Sequence, residues 1–239
     1  MSKHDERQII AIGGSGFLTD AHTRELDRYV ISQARTTEPS VCFIPTANGD
    51  SDASLLRFYT IFAQLPCKLS HLVFFRRTPP DLRTFLLSKD VIYVGGGNTR
   101  SMLAVWREWG MLEILREAWE AGIVLAGRSA GAICWFEQGV TDSVADALRP
   151  LDCLGFLPGS CCPHYDGEVD RRPSYQQLLL DKKVIPGIAI DDGVGVHFRG
   201  AEPYCVVSPR EKAGAYRVRV VRGVAREKPV LKEIKRLRG

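Results

Sequence analysis

Long apolar stretches are missing from this chain: nowhere do about 18 consecutive apolar residues occur, which excludes an ordinary membrane-spanning helix. Residues Met1 to Arg7 are polar and charged and lack the apolar core of a signal peptide, so a soluble, cytoplasmic protein is expected. Cysteine forms no framework. The seven residues (Cys42, Cys67, Cys134, Cys153, Cys161, Cys162, Cys205) are odd in number, lie mostly in apolar runs and show no Cys-x-x-Cys spacing. That usage predicts reduced core thiols and no structural zinc, and adjacent Cys161 and Cys162 are badly placed to bond each other. G-x-x-x-x-G-K-[ST] occurs nowhere, which removes a nucleotide P-loop. A large excess of one charge sign is also missing. With a net charge of +4 and no aromatic platform or recognition motif, the Lys/Arg-rich stretch from Arg222 to Arg238 reads as a solvated face, and nucleic acid is not an expected partner.

What is present is an ordinary globular composition. At 239 residues, 45% hydrophobic and 25% charged, the chain can bury a sizeable core, and a single α/β domain over residues 1–239 is expected. Short apolar runs alternate with longer amphipathic ones, the pattern of β-α units that build a mostly parallel central sheet flanked by helices. Strands are predicted at Gln8 to Ile12, Val41 to Ile44, Leu72 to Phe75, Val91 to Val94 and Ile123 to Ala126. Helices are predicted at Thr19 to Ala34, Ser51 to Leu65 (capped by Asp50 or Ser51) and Asp81 to Leu87, with a further helical stretch interrupted at Gly110. Beyond a short helix to about Phe136 the sequence turns irregular and rich in Gly, Pro and Asp, as site loops are. A helix from Pro173 to Lys182 follows, then strands at Ile188 to Ile190, Val194 to Phe198, Tyr204 to Val207 and Tyr216 to Val221.

A serine hydroxyl attacks a carbonyl only if it is exposed, held beside a base and aimed where the developing oxyanion is stabilised. Gly127-Arg128-Ser129-Ala130-Gly131, between a predicted strand and a helix, has the G-x-S-x-G spacing that lifts Ser129 onto a sharp turn. The amide of Ala130, with that of Gly96 or Gly97 in the run Gly95-Gly96-Gly97-Asn98-Thr99, is the natural oxyanion hole. Gly13-Gly14-Ser15-Gly16 also follows a strand and reads as a tight connection. The base should be a histidine, of which there are five. His4 lies in the polar N-terminus, His22 in a helix, His71 at a strand start and His197 in an alternating strand. His164, in the irregular segment, is preferred. Asp192, just past a strand end, is the leading candidate to hold the imidazole, with Asp191 and Asp142 as alternatives.

With these residues assembled, the chain resembles the peptidase E and cyanophycinase family of serine peptidases, whose fold is similar to class I glutamine amidotransferases, a flavodoxin-like three-layer α/β architecture. The resemblance covers about residues 8–200 and rests on IAIGGSG at Ile10 to Gly16, FIPTAN at Phe43 to Asn48, YVGGGNT at Tyr93 to Thr99, GRSAGA at Gly127 to Ala132 and PHY at Pro163 to Tyr165. Residues 201–239 are left as C-terminal strands and a basic tail. The resemblance implies Ser129 as nucleophile, His164 as base, and amides near Gly96, Gly97 and Ala130 as oxyanion hole, in the chain order Ser, His, acid. Family members commonly carry Glu, in Pro-Glu-Gly, where Asp192 stands in Asp-Asp-Gly. Asp142 matches an acidic residue once proposed for the third role.

Peptidase E-like enzymes cleave dipeptides with an N-terminal aspartate, recognised by an arginine after the histidine. Arg171 and Arg172 match that position approximately, and Asn98 joins them as a substrate-binding candidate. The expectation is a hydrolase of dipeptides or short peptides acting through an acyl-enzyme, without metal or cofactor, as a monomer or homodimer. An esterase or amidase, a cyanophycinase-like peptidase and a noncatalytic binding protein are the rival readings. Glutamine amidotransfer uses Cys at the elbow, whereas here Ser129 stands there and Cys134 lies a turn beyond.

Overall fold

The computed structural model describes residues 7–14, 24–145 and 147–238. Five parallel strands lie side by side in the order β1 (Gln8–Ile12), β5 (Val124–Arg128), β4 (Val91–Val94), β2 (Ser40–Ile44) and β3 (Lys68–His71). On the far side of β1, β10 (Gly195–Arg199) and β11 (Glu202–Ser208) add antiparallel and β14 (Lys235–Arg236) closes the sheet. Strands β1, β4 and β5 are buried along their whole length, and apart from Gln8 at the start of β1 and Arg128 at the end of β5 they read as apolar runs.

Alternation along β1 assigns its two faces. Ile10 and Ile12 pack with Leu26 and Val30 of α1 (Arg24–Ile31) and Phe58 and Phe62 of α2 (Asp52–Phe62). Ile9 and Ala11 face the cluster holding Leu86 of α3 (Leu82–Leu87), Trp106 of α4 (Thr99–Glu108) and Leu115 of α5 (Met111–Glu120). The α/β architecture with flanking helices is therefore as expected.

A second sheet stands beside the first. It contains β6 (Phe136–Thr141), β7 (Arg149–Asp152), β8 (Leu157–Cys162), β9 (Gly187–Ile190), β12 (Ala215–Val221) and β13 (Val224–Pro229), in the order β13-β12-β9-β8-β6-β7. Helix α7 (Arg171–Leu180) packs on it through Tyr175 and Leu179 against Ala189 and Val218. The stretch expected to be irregular after Phe136 instead forms β6 to β8. Pro158 and Gly159 lie within β8, and its ladder with β6 shifts register between Phe136 and Gln138, so local propensity hides strands that long-range pairing makes. The basic tail likewise holds β13, joined to β12 by a two-residue turn in which Arg222 (φ 51°) and Gly223 (φ 75°) both take left-handed conformations.

Other boundaries differ for traceable reasons. The strand expected at Leu72 to Phe75 is replaced by β3 four residues earlier, because the Asp50 carboxylate takes the Phe74 and Phe75 amides out of the ladder. Asp50 therefore does not cap α2; Ser51 holds the N-cap position without a side-chain capping bond. Strand β5 runs on through Gly127 and Arg128. Residues 15–23, which include the start of the first predicted helix, Ser15, Gly16 and His22, lie outside the described residues, as does His4.

This topology converges five loops. Strands β1, β4 and β5 deliver Gly13-Gly14, Gly95 to Gly97 and Ser129 at the C-terminal edge of the first sheet, where parallel sheets bind ligands. The parallel neighbours β8 and β9 deliver His164 and Asp192 just beyond their own C-terminal ends. Backbone bonds join the two groups: Gly13 N–H donates to Val194 O (3.0 Å), His164 N–H to Gly13 O (3.3 Å) and Gly193 N–H to Gly14 O (3.1 Å).

Candidate active site

Ser129 sits at φ 54°, ψ −116°, a strained conformation for a non-glycine residue, between β5 and the short helix α6 (Ala130–Ile133). Its N–H donates to Ile12 O (3.0 Å), and its carbonyl accepts from Ala132 and Ile133 (2.9 Å each), so the turn is bonded from both sides. The flanking glycines are sterically required. A Cβ on Gly127 would lie 2.4 Å from Gly131 O, and one on Gly131 would lie 2.4 Å from Val94 O.

The hydroxyl faces an imidazole. Ser129 Oγ is 2.9 Å from His164 Nε2, and His164 Nδ1 is 2.7 Å from Asp192 Oδ1, forming one continuous chain. The His164 and Asp192 side chains are 19% and 22% exposed, open enough for a substrate and enclosed enough to hold orientation. Two glycines missed in the sequence make room for the pair. A Cβ on Gly14 would fall 2.0 Å from Asp192 Oδ1 and 2.2 Å from His164 Nδ1, and one on Gly167 would fall 2.0 Å from Asp192 Oδ2. Gly14 was visible only as part of a tight connection.

The glycine loop after β4 comes close to the serine. Gly95 N–H donates to Ile44 O (3.0 Å) and Asn98 N–H to Ala47 O (2.7 Å), with Gly96 and Gly97 between these anchors. The Cβ position of Gly96 is 3.2 Å from Ser129 Cβ, and Gly97 adopts φ +136° with its Cβ position against Ala47 O at 2.3 Å. Ala130 opens α6, where no intrahelical carbonyl reaches its amide.

The remaining candidates are engaged elsewhere. Asp191 accepts from Gly214 N–H (2.8 Å), and burial pushes its carboxyl up to about 6. Asp142 pairs with Arg171 at 3.2 Å. Arg171 is buried and also bonds Glu168 (2.6 Å) and Val140 O (3.2 Å), so it braces the base of α7. Arg172 pairs with Glu227 and lies over the Tyr165 ring at 5.2 Å. Asn98 caps α4, accepting from Ser101 N–H (2.9 Å) and donating to Ser143 O (3.0 Å). His197 is bonded to Tyr29 (2.8 Å) and Gln8 (3.0 Å), and burial pushes its imidazole down to about 3, which suits a core residue. His71 bonds Tyr59 (2.8 Å). Cys134 is buried and its thiol is pushed well up by that burial, the opposite of a nucleophile.

Beneath the elbow lies a polar cluster that the sequence did not announce. Arg128 Nε donates to Tyr93 Oη (2.7 Å), Tyr93 Oη donates to Asp27 Oδ1 (3.0 Å), and Arg128 is also ion-paired to Asp27. Among the described residues, no group of three or more His, Cys, Asp or Glu is arranged to hold a metal ion, and no helix is long and apolar enough to cross a membrane.

Comparison with known proteins matches the model of peptidase family S51 to residues 9–204. The chain is 53% identical over 212 residues to an uncharacterized peptidase, YgaJ, of Bacillus subtilis, covering 89% of this chain and 92% of that one. It is 25% identical over 199 residues to a probable alpha-aspartyl dipeptidase of Drosophila melanogaster, covering 78% and 79%. The crystal structure of a peptidase from an acI-B1 Actinobacterium superposes with a TM-score of 0.72 at 19% identity over 95% of this chain and 96% of that one. A putative peptidase E from Listeria monocytogenes gives 0.61 at 18% identity over 89% and 98%.

Proposed function

The chain belongs to peptidase family S51 and is a peptidase, and from that premise we propose that it hydrolyses dipeptides or short peptides by a serine mechanism. Ser129 Oγ attacks the scissile carbonyl carbon while His164 Nε2 takes its proton; the C–N bond then breaks as that proton passes to the leaving amine. Water, deprotonated by the same nitrogen, attacks the acyl-enzyme and releases Ser129. Asp192 holds the Nδ1–H tautomer and stabilises the imidazolium. The amides of Ala130 and of Gly96 or Gly97 receive the oxyanion. The single observation that carries this reading is the unbroken chain of 2.9 Å and 2.7 Å contacts from a strained elbow serine to a carboxylate.

Substrate preference follows from the arginines. Recognition of an N-terminal aspartate needs a cation with donors to offer, and both Arg171 and Arg172 already face carboxylates of this chain. The specificity is therefore broader than Asp-X dipeptides. On a panel of Asp-X, Glu-X, Ala-X and longer peptides, kcat/KM for Asp-X should exceed that for Ala-X by less than about tenfold, all of it lost in Ser129→Ala. A preference of ~10³-fold for Asp-X would contradict the broad specificity and point back to Arg172.

A further inference from the structure

Asp192 is gripped by its backbone from both sides. Its N–H donates to Asp166 Oδ1 at 2.8 Å, and its carbonyl accepts from Arg210 Nη1. The grip closes on itself, because Arg210 Nη2 is 2.9 Å from Asp166 Oδ2. We infer that Asp166 and Arg210 are positioning residues that set the reach of the Asp192 carboxylate to His164. The inference rests on the triad reading given above.

A carboxylate on a single methylene has little slack, so whether Asp192 meets Nδ1 depends on where its own Cα is held. Displacement of a catalytic contact by about 1 Å can cost ~10²-fold in rate. Asp166 lies two residues beyond His164, in a turn closed by Gly167 N–H donating to His164 O (3.2 Å). The same carboxylate thus ties the histidine turn to the aspartate turn. Arg210 enters from the loop after β11, its N–H donating to Ser208 Oγ (3.0 Å) and its carbonyl accepting from Arg236. Gly193, at φ +69°, admits it: a Cβ there would lie 2.8 Å from Arg210 Cδ. Arg210 is also outside the residues matched by the family model, which end at 204.

Exposure separates this role from a stabilising one. The Arg210 and Asp166 side chains are 44% and 30% exposed, and ion pairs that wet contribute little to folding. What distinguishes the pair is the two bonds to the Asp192 backbone.

The test uses Asp166→Ala, Asp166→Asn, Arg210→Met and the swapped pair Asp166→Arg/Arg210→Asp in the full chain. It reads kcat, KM, thermal unfolding and the far-downfield proton resonance of His164 Nδ1–H, assigned by its loss in Asp192→Asn. Asp166→Ala and Arg210→Met should lower kcat by about tenfold or more with KM within about twofold, and should weaken the resonance without moving the melting point. Asp166→Asn keeps an oxygen to accept from the Asp192 N–H and should stay within about threefold of wild type. The swapped pair restores opposite charges but turns the wrong groups toward Asp192, so it should remain impaired. Wild-type kcat in the swapped pair would reduce the contact to a plain ion pair and overturn the proposal, as would an unchanged kcat and resonance in Asp166→Ala and Arg210→Met. The resonance also separates this proposal from the mechanism. If turnover does not depend on Ser129, weakening of the resonance in Asp166→Ala still supports the clamp, and its persistence still overturns it.

Discussion

Asp192→Asn should lower kcat by ~10⁴-fold while leaving the fold intact and KM little changed. In the proposed mechanism the carboxylate, 2.7 Å from His164 Nδ1, accepts its proton, which leaves Nε2, 2.9 Å from Ser129 Oγ, unprotonated and ready to take the serine proton. An asparagine amide in the same place can donate to Nδ1. The imidazole then carries its proton on Nε2, facing the serine, and cannot act as base. The loss would fall on steps in which charge develops on the imidazole, which is why kcat rather than KM carries it. Steady-state kinetics with a circular dichroism control measures this. A loss of less than about tenfold would show that Asp192 is not the group that orients the base.

Arg128→Met should destabilise the protein by about 3 kcal/mol or more. The Arg128 and Asp27 side chains are 6% and 0% exposed, and the pair joins α1 to the end of β5 directly under Ser129. Among the described residues Asp27 Oδ2 has no hydrogen-bond partner, and the carboxylate is held there through Oδ1. Burial raises its carboxyl, and the neighbouring guanidinium is the main opposing influence. Removing the arginine leaves a buried carboxylate that must either stay charged without compensation or take a proton. Replacing the whole cluster with apolar side chains, as in Asp27→Leu/Tyr93→Phe/Arg128→Met, should recover most of the loss, because no buried polar group of the cluster is then left behind. Urea unfolding of the two variants measures the difference, and a single-variant cost below about 1 kcal/mol would contradict the account.

Legibility in the sequence followed the range of the interactions. The elbow was readable because its steric demand is local: Gly127 and Gly131 sit two residues either side of Ser129, and each leaves no room for a Cβ. The buried parallel strands were readable for the same reason, since burial on both faces writes an apolar run. His164 stands out in the sequence by its place in an irregular segment, yet what puts it near Asp192 is the parallel pairing of β8 with β9, and β8 carries Pro158 and Gly159 in place of a local strand pattern. Glycines 14 and 167 fit around the histidine and aspartate from loops more than 150 residues apart in sequence. No local pattern encodes that fit. Arg171 shows the converse, because a sequence position suited to binding substrate turned out to hold a buried brace to Asp142 and Glu168.

The most direct test of the central claim is the reaction of the folded protein with a fluorophosphonate, followed by intact mass and peptide mapping. The account predicts a single covalent adduct on Ser129, absent in Ser129→Ala and strongly slowed in His164→Ala. An adduct on another residue, or none on the folded wild-type protein, would contradict Ser129 as the activated nucleophile.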